Sequence, residues 1–241
     1  MDQDLNKKKF DQYINNLNFN FINKYLHSIR YKYLYEVTEQ YENKIKRKIK
    51  ILDIGCGHAH LFDILNKSFD IDYIGIDKSP RFNNYIEKNF SKFKNFKYIN
   101  DNIHVHNDLF GWADMVISLE TLEHIPEKSL KKLIIEIGKA KPDIFFSSVP
   151  NEVGPIVWVK NIYSFLIRYD RHIEYSWKDT FFSGLGLFKY VREHEAGHRG
   201  FDWRNLSRLI NENYEIEKIY SSPYKFVPKF LSPSIYFLCT S

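Results

Sequence analysis

The sequence predicts an α/β fold with a doubly wound, mostly parallel sheet, and two features carry that prediction. Between Ile49 and Val149, short apolar runs alternate with segments in which apolar residues recur at helical spacing. Such alternation is typical of βαβ units, whose parallel strands are covered by helices on both faces. The length of 241 residues, with 44% hydrophobic residues, also suits one large domain with an extensive core. We therefore expect a single domain over residues 1–241.

The N-terminal part, residues 1–48, has the pattern of helices. Its apolar residues recur mostly at intervals of three and four, which favours a helical face packed against another part of the protein. These residues are Tyr13, Leu17, Phe21, Tyr25, Leu26, Ile29, Tyr33, Leu34 and Val37.

Residues 49–149 have the pattern of alternating strands and helices. The predicted strands are Ile49–Ile54, Tyr73–Asp77, Phe96–Ile99, Ala113–Leu119 and Asp143–Val149. A helix is predicted after Gly57, and Ser79 followed by Pro80 is typical of the start of another. A further amphipathic helix is predicted from residues spaced at i, i+3, i+4 and i+7, namely Leu130, Leu133, Ile134 and Ile137.

Residues 150–200 interrupt this alternation and are rich in aromatic side chains, so we predict a lid or insertion that binds the substrate. Its apolar stretch Ile156–Ile167 has two interpretations, a helix packed within the lid or a helix that touches a membrane surface. Residues 201–241 predict one more helix and two candidate strands, Tyr214–Tyr220 and Ile235–Cys239.

Composition excludes several classes of protein. The two cysteines, Cys56 and Cys239, lie far apart, which excludes a disulfide scaffold and a cysteine-based zinc site and is typical of a cytoplasmic protein. The sequence has no apolar stretch long enough to span a bilayer, and the polar residues Met1–Lys9 do not have the pattern of a secretory signal. The net charge of +5 indicates a solvated surface more strongly than a nucleic-acid patch.

The turn after the first strand, Gly55-Cys56-Gly57, predicts a ligand site. Glycines let the backbone approach a ligand closely, but the third glycine of dinucleotide-binding turns is replaced by His60. Asp53, just before the turn, would repel a pyrophosphate but could accept hydrogen bonds from an ammonium group. Asp77, at the end of the second strand, could hold both hydroxyls of a ribose. These groups fit an unphosphorylated nucleoside that carries an amino acid better than they fit NAD.

Three motifs in this order, Ile51-Leu52-Asp53-Ile54-Gly55-Cys56-Gly57, Gly75-Ile76-Asp77 and Asp114-Met115-Val116-Ile117-Ser118, resemble the class I S-adenosylmethionine-dependent methyltransferases. The resemblance covers roughly residues 49–149. It implies a Rossmann-like, seven-stranded sheet and a site for S-adenosylmethionine. The implied cofactor-binding residues are Asp53, Gly55 and Gly57 around the methionine part, Asp77 at the ribose and Asp101 near the adenine, together with Cys56, Lys78 and Leu119. The alternative is a doubly wound domain that binds NAD or no nucleotide.

A cluster of acidic and histidine residues follows the fourth strand. If Glu120 to His124 forms a helical turn, Glu120, Glu123 and His124 lie on one face. Two neighbouring carboxylates repel each other unless a cation lies between them, so the pattern indicates a divalent metal such as Mg²⁺, Mn²⁺ or Zn²⁺. The alternative is that no metal binds and that His124 is a polar wall of the pocket or a general base. His124 and Glu123 are the candidate catalytic residues in either case.

The E-x-x-E-H pattern with a later histidine resembles two methyltransferase branches, the ubiquinone-pathway O-methyltransferases and the enzymes that methylate the terminal 2′-hydroxyl of small RNAs. This comparison implies His198 as the fourth metal ligand, with His194 in reserve. The RNA branch is also similar in its His-basic-aromatic-acidic-Trp element, although Gly200 is inserted here.

The acceptor has two predicted classes. The first is a hydroxyl of a small molecule, lipid precursor or cell-surface glycan, because an aromatic lid buries phenols and sugar rings well. The second is RNA, whose phosphates would be tracked by basic residues that are interspersed with acidic ones in this chain. These are Lys160, Arg168, Arg171, Lys178, Lys189, Arg192, Arg199 and Arg204. A third interpretation, a binding subunit without activity, is disfavoured by the intact Asp53, Asp77 and Glu-His cluster.

Overall fold

The computed structural model describes residues 21–166, 176–192, 195 and 197–241, and for residues 21–27 it describes the helical backbone alone. The predicted helical residues Tyr13 and Leu17, the reserve ligand His194 and the basic residues Arg168 and Arg171 lie outside the described residues.

The described strands form one seven-stranded sheet in the order β3-β2-β1-β4-β5-β7-β6. All neighbouring pairs are parallel except those that involve β7, which runs antiparallel to β5 and β6. The predicted Rossmann-like, doubly wound fold is therefore confirmed. The strands are β1 (Ile49–Ile54), β2 (Ile71–Ile76), β3 (Phe96–Ile99), β4 (Met115–Leu119), β5 (Ile144–Pro150), β6 (Ile216–Ser221) and β7 (Ser234–Thr240).

The helices cover both faces of the sheet. They are α1 (Phe21–Ile45), α2 (His60–Leu65), α3 (Asn83–Phe90), α4 (Asp108–Trp112), α5 (Glu127–Ala140), α6 (Ile156–Leu166), α7 (Trp177–Gly184) and α8 (Trp203–Asn213). Helices α1, α2 and α3 contribute to one hydrophobic cluster, and α4, α5 and α8 contribute to the other. Alternate strand residues divide between the two, so that Ile51 belongs to the first and Leu52 to the second. The sheet is thus buried on both sides, as the apolar runs predict.

The order of the strands fixes where a ligand site can form. Strand β1 lies between β2 and β4, so the chain proceeds outward from β1 in one direction to β3 and then returns to continue through β4 in the other. Such a reversal leaves a crevice at the carboxyl ends of β1 and β4, which is where doubly wound sheets bind ligands.

The described part of residues 150–200 contains two α-helices, α6 and α7, that pack against each other. The amide of Asn161 in α6 donates to the Thr180 hydroxyl of α7 at 2.6 Å, and the indole of Trp158 donates to the Thr180 carbonyl at 3.2 Å. Within the described range, helix α6 agrees with the predicted helical stretch Ile156–Ile167. Neither α6 nor any other described helix has the length and apolar character needed to cross a membrane.

Several predicted strand boundaries differ from the observed ones by one or two residues. The strand predicted from Tyr214 begins at Ile216, because Tyr214 instead caps the end of helix α8 and its hydroxyl donates to the Pro142 carbonyl. The helix start predicted at Ser79 and Pro80 is confirmed, since Pro80 begins a short 3₁₀ helix, Pro80–Phe82, that leads into α3. The Ser79 side chain makes no capping hydrogen bond there, and its amide donates to Asp77.

Candidate active site

The turn after β1 is held against the end of β2. The amides of Gly55 and Cys56 both donate to the Ile76 carbonyl, at 2.8 and 3.3 Å. Gly55 has a φ of +76°, and a Cβ added to it would lie 2.2 Å from the Thr121 hydroxyl oxygen. Glycine is therefore required at position 55 both by the backbone conformation and by the close approach of the loop after β4.

Asp77 fixes the geometry of this turn. Its carboxylate accepts hydrogen bonds from the Gly57 amide at 3.1 Å and from the Ser79 amide at 2.8 Å. The side chain is half-buried immediately after β2, whereas the neighbouring Lys78 is exposed. The two amides orient the carboxylate at the carboxyl edge of the sheet, where a carboxylate oxygen can accept further bonds from ligand hydroxyls.

Asp53 lies deeper, beneath the turn. It is 3% exposed, and the Tyr73 hydroxyl on β2 donates to one of its carboxylate oxygens. Burial raises the pKa of Asp53 to about 7, although the Tyr73 hydrogen bond opposes that shift. Burial also raises the pKa of the Cys56 thiol well above its usual value, so Cys56 is a neutral side chain of the turn.

Asp101 and Leu119, the two remaining predicted cofactor residues, follow β3 and end β4. Asp101 is exposed, and its carboxylate accepts from the Asn102 amide at 2.7 Å and lies 3.0 Å from the imidazole of His106. The hydrogen bond from the Asn102 amide, followed by that from His106, lowers the pKa of Asp101. Leu119 is half-buried at the edge of the crevice.

The Glu-His cluster forms beside β4. Glu123 and His124 lie in the 3₁₀ helix Leu122–His124, and His198 reaches them from residues 150–200 because the neighbouring Gly197 amide donates to the Glu123 carbonyl at 2.8 Å. Glu123, His124 and His198 each offer a ligand atom, and these atoms lie within 4.8 Å of one another. His124 Nε2 is 3.7 Å from Glu123 Oε1, and the two imidazole rings have centroids 5.2 Å apart.

The charge state of Glu123 depends on its burial. The side chain is fully buried, and desolvation together with the nearby charge of Glu120 raises its pKa well above the usual value. The positive charge of Arg30 on α1 opposes this shift, while Glu152 adds to it. A cation in contact with the Glu123 carboxylate would therefore offset two costs of its negative charge. These are the loss of hydration on burial and the repulsion by the carboxylates of Glu120 and Glu152.

The prediction that Glu120 shares a helical face with Glu123 and His124 is wrong. Glu120 adopts a left-handed conformation with φ of +51°, and the helical turn begins at Leu122. Its carboxylate instead accepts a hydrogen bond from the Ser148 hydroxyl at 3.1 Å. As a result, Glu120 does not belong to the group of close ligand atoms formed by Glu123, His124 and His198.

Sequence reasoning missed several residues that shape the site. Tyr73 holds Asp53, Thr121 closes over Gly55, and Arg30 and Glu152 set the potential at Glu123. A signal existed for Tyr73 alone. Asp53 on β1 pairs with Gly75 on β2, and Tyr73 is two residues before Gly75 on the same strand. The side chains of Asp53 and Tyr73 are therefore on adjacent strands, close to the turn.

Comparison with known proteins decides the family. A family model described as a methyltransferase domain matches residues 25–184. The chain belongs to this methyltransferase family. No curated protein is similar enough in sequence to match the chain. The family supports the predicted S-adenosylmethionine-dependent enzyme class and overturns the alternatives of an NAD-binding domain and an inactive binding subunit.

Solved structures share the fold of this methyltransferase at low sequence identity. The methyltransferase domain of bacterial CtHen1 is 17% identical, with a TM-score of 0.61 over 90% of this chain and 100% of that one. Magnesium protoporphyrin IX methyltransferase from Synechocystis PCC 6803, solved with bound SAH, is 12% identical, with a TM-score of 0.59 over 97% and 94%. The N-methyltransferase NodS from Bradyrhizobium japonicum WM9, solved with S-adenosyl-L-homocysteine, is 9% identical, with a TM-score of 0.54 over 93% and 90%.

We expect Asp77→Ala to weaken the binding of S-adenosylhomocysteine by about 1–3 kcal/mol, because the expected hydrogen bonds from the ribose hydroxyls to this carboxylate are lost. Calorimetric titration measures the change. The control is Asp72→Ala, at the opposite end of β2, where the carboxylate pairs with Lys48 at the surface. An unchanged dissociation constant for Asp77→Ala would show that the ribose assignment is wrong.

Proposed function

We propose that this methyltransferase transfers the methyl group of S-adenosylmethionine to a hydroxyl of a small molecule, lipid precursor or glycan, with a divalent metal held by Glu123, His124 and His198. The observation that carries the proposal is the convergence of these three side chains beside β4. Strand β4 neighbours β1, so the cluster and the Gly55–Gly57 turn border the same crevice.

The proposed cofactor site uses the carboxyl edge of β1, β2 and β3. Asp77 would accept from the ribose hydroxyls while the Gly57 and Ser79 amides hold its carboxylate in place. Asp53 would accept from the ammonium group of the methionine part. The glycines of the turn would let the backbone approach the same part of the cofactor closely.

The donor set fits a divalent metal. One carboxylate and two imidazoles are ligands that Zn²⁺, Mn²⁺ and related ions accept. A bound divalent ion would lower the pKa of an acceptor hydroxyl. Glu123 and His198 would position the ion. The hydrogen bond from the Gly197 amide to the Glu123 carbonyl would hold the loop that contains His198 next to the segment that follows β4.

In the proposed reaction the acceptor oxygen attacks the sulfonium methyl group. The new C–O bond forms as the C–S bond breaks, and the sulfur keeps that electron pair and becomes neutral. The hydroxyl proton must leave the oxygen. If a metal binds, His124 would be one of its ligands and the proton would pass to solvent water. If no metal binds, His124 is the residue proposed to take the proton as a general base, because its side chain is about half exposed, at 51%.

Ion pairing disfavours RNA as the acceptor. Three of the basic residues that would track phosphates are already paired with buried carboxylates: Lys160 with Glu152 at 3.2 Å, Arg199 with Asp179, and Arg204 with Asp202 at 2.7 Å. Paired cations add little to phosphate binding.

Methylation of an RNA 2′-hydroxyl is the second candidate, since Glu123, His124 and His198, three of the four positions of the E-x-x-E-H…H pattern of that branch, lie close together. RNA binding that weakens steeply with salt would favour it, and the absence of RNA binding would remove it.

The test of the first candidate is methyl transfer to catechols, phenols and glycans with added Mg²⁺, Mn²⁺ or Zn²⁺ and with excess chelator. We expect Glu123→Gln and His198→Ala to lose the metal-stimulated rate and to bind less metal in equilibrium dialysis, with unchanged affinity for S-adenosylhomocysteine. His104→Ala, a histidine outside the cluster, is the control and should behave as wild type. Full activity in excess chelator would refute the metal.

A further inference from the structure

Helix α6 exposes four large apolar side chains on its outer face. Val159, Ile162, Phe165 and Leu166 are 55%, 62%, 75% and 72% exposed. Their spacing places them along one side of the helix. They are the exposed residues of α6, and each of them is apolar. Single exposed apolar residues are ordinary on a protein surface, but a helix whose whole exposed face is apolar indicates contact with something other than water.

The inner face of α6 is fixed by hydrogen bonds and by the buried side chains of Ile156 and Val157, so the helix cannot rotate to bury its outer apolar side chains. Asn161 and Trp158 donate to Thr180 of α7, and Lys160 donates to the Asn151 carbonyl at 2.9 Å and pairs with Glu152. Ser164 is also buried on this side. Apolar side chains therefore occupy both faces of α6, whereas a helix at a protein surface usually exposes polar side chains.

Helix α7 presents aromatic residues outward in the same way. Trp177 is 92% exposed and Phe181, one turn later, is 55% exposed. Gly184 shows how close the two helices are, because a Cβ added there would lie 2.0 Å from the Trp158 indole nitrogen. The exposed residues Val159, Ile162, Phe165, Leu166, Trp177 and Phe181 are called the outer apolar surface below.

Charge indicates what this surface contacts. Lys178 lies between Trp177 and Phe181 and is exposed, and the Lys189 ammonium lies 4.8 Å from the Tyr190 ring. Residues 156–192 contain six basic and three acidic residues. One of the acidic residues, Asp179, is buried in its pair with Arg199. Exposed Trp, aliphatic side chains and lysines are the combination that anchors proteins in the headgroup region of anionic bilayers.

We propose that the outer apolar surface docks this methyltransferase on an anionic lipid membrane, with α6 and α7 lying in the interface and not across it. The apolar side chains would enter the boundary between headgroups and acyl chains, while Lys178 and Lys189 contact lipid phosphates. Because the proposal concerns lipid binding, it is independent of the acceptor and of the metal. Docking would also affect the proposed function. Helices α6 and α7 and His198 all belong to residues 150–200, so docking would bring the Glu123, His124 and His198 cluster close to a hydroxyl carried by a lipid.

The experiment is co-sedimentation of the full chain with phosphatidylcholine vesicles with and without phosphatidylglycerol. We expect binding to the anionic vesicles, and at least a roughly tenfold loss of affinity in Ile162→Asp and in Val159→Asp, because a buried carboxylate opposes insertion. The matched control is Val105→Asp, since Val105 is also exposed, at 67%, but lies after β3. Lys178→Glu should weaken binding to anionic vesicles, whereas Lys131→Glu on α5 should not. Circular dichroism checks that each variant is folded.

Several outcomes would overturn the proposal. Equal binding by Ile162→Asp and wild type would show that α6 does not insert. Equal binding to neutral and anionic vesicles would remove the role of the lysines. A concentration-dependent dimer that Ile162→Asp abolishes, in the absence of vesicle binding, would assign the surface to a second copy of the chain. Methyl transfer to water-soluble acceptors is measured separately, so failure of membrane docking and failure of the proposed reaction can be told apart.

Discussion

Gly55→Ala is expected to destabilise the protein by about 2–5 kcal/mol and to abolish cofactor binding. Two costs add at this position. A left-handed conformation costs an alanine about 1–2 kcal/mol, and overpacking costs about 1–3 kcal/mol. The overpacking arises because the new Cβ would lie 2.2 Å from the Thr121 hydroxyl oxygen and 2.4 Å from its methyl group. Urea denaturation measures the first effect and calorimetry with S-adenosylhomocysteine measures the second.

Gly57→Ala is the matched control for this prediction. Gly57 also has a positive φ, +54°, but the nearest atom to its added Cβ is in the Phe82 ring at 3.7 Å. The Gly57→Ala variant should therefore lose only the conformational part of the free energy of unfolding, about 1–2 kcal/mol. Combining Gly55→Ala with Thr121→Ala should recover part of the stability, since the two closest atoms are removed. If Gly55→Ala and Gly57→Ala are equally destabilised, the contact with Thr121 is not important.

Asp179→Ala is expected to lower the free energy of unfolding by about 3 kcal/mol, the low end of the range for breaking a buried ion pair, because Arg199 keeps some exposure to water. Asp179 is 4% exposed, pairs with Arg199, and accepts from the Ser176 hydroxyl at 2.7 Å and the Arg192 amide at 3.2 Å. Removing it leaves all three partners without their acceptor. Urea denaturation followed by far-UV circular dichroism provides the measurement.

The control for Asp179 is Asp63→Ala, which breaks the surface pair with Lys67 at 2.9 Å and should cost at most about 0.5 kcal/mol. The pH dependence gives a second test. Burial alone would raise the pKa of Asp179, but the hydrogen bonds from Ser176 and Arg192 and the charge of Arg199 outweigh it and lower the pKa. The stability that Asp179 contributes is therefore present above its unfolded pKa and is lost as the pH falls. Wild type and Asp179→Ala should converge in stability at acid pH, and a constant difference would contradict the assignment.

The central part of the fold could be predicted from the sequence because the strands beside β1 are buried on both faces. Runs such as Ile71–Ile76 and Met115–Leu119 are almost wholly apolar for that reason. Strand β3 gave a weaker signal because its residues are only partly buried. The start of β6 was misplaced since Tyr214 is apolar enough to belong to a strand, yet it is buried at the end of α8.

The site could be predicted in part. Glu123, His124 and His198 meet although His198 is distant in sequence, and this agrees with what the family resemblance implies. Glu120 could not be placed, because its left-handed conformation and its bond to Ser148 depend on β5, the neighbouring strand. Tertiary packing likewise forms the pairs Asp53–Tyr73 and Asp179–Arg199. The spacing of residues along the sequence does not predict such contacts.

The cluster at Glu123 is assembled from two parts of the chain that differ in how they are anchored. Glu123 follows a central strand, whereas His198 is reached through a loop that is attached to Glu123 by the Gly197 amide. Any ligand that bridges the two histidines would therefore also strengthen this attachment, and by reciprocity a firmer attachment would tighten the ligand's hold. If a ligand binds at this cluster, its affinity and the strength of the contact between Gly197 and Glu123 would therefore be thermodynamically linked.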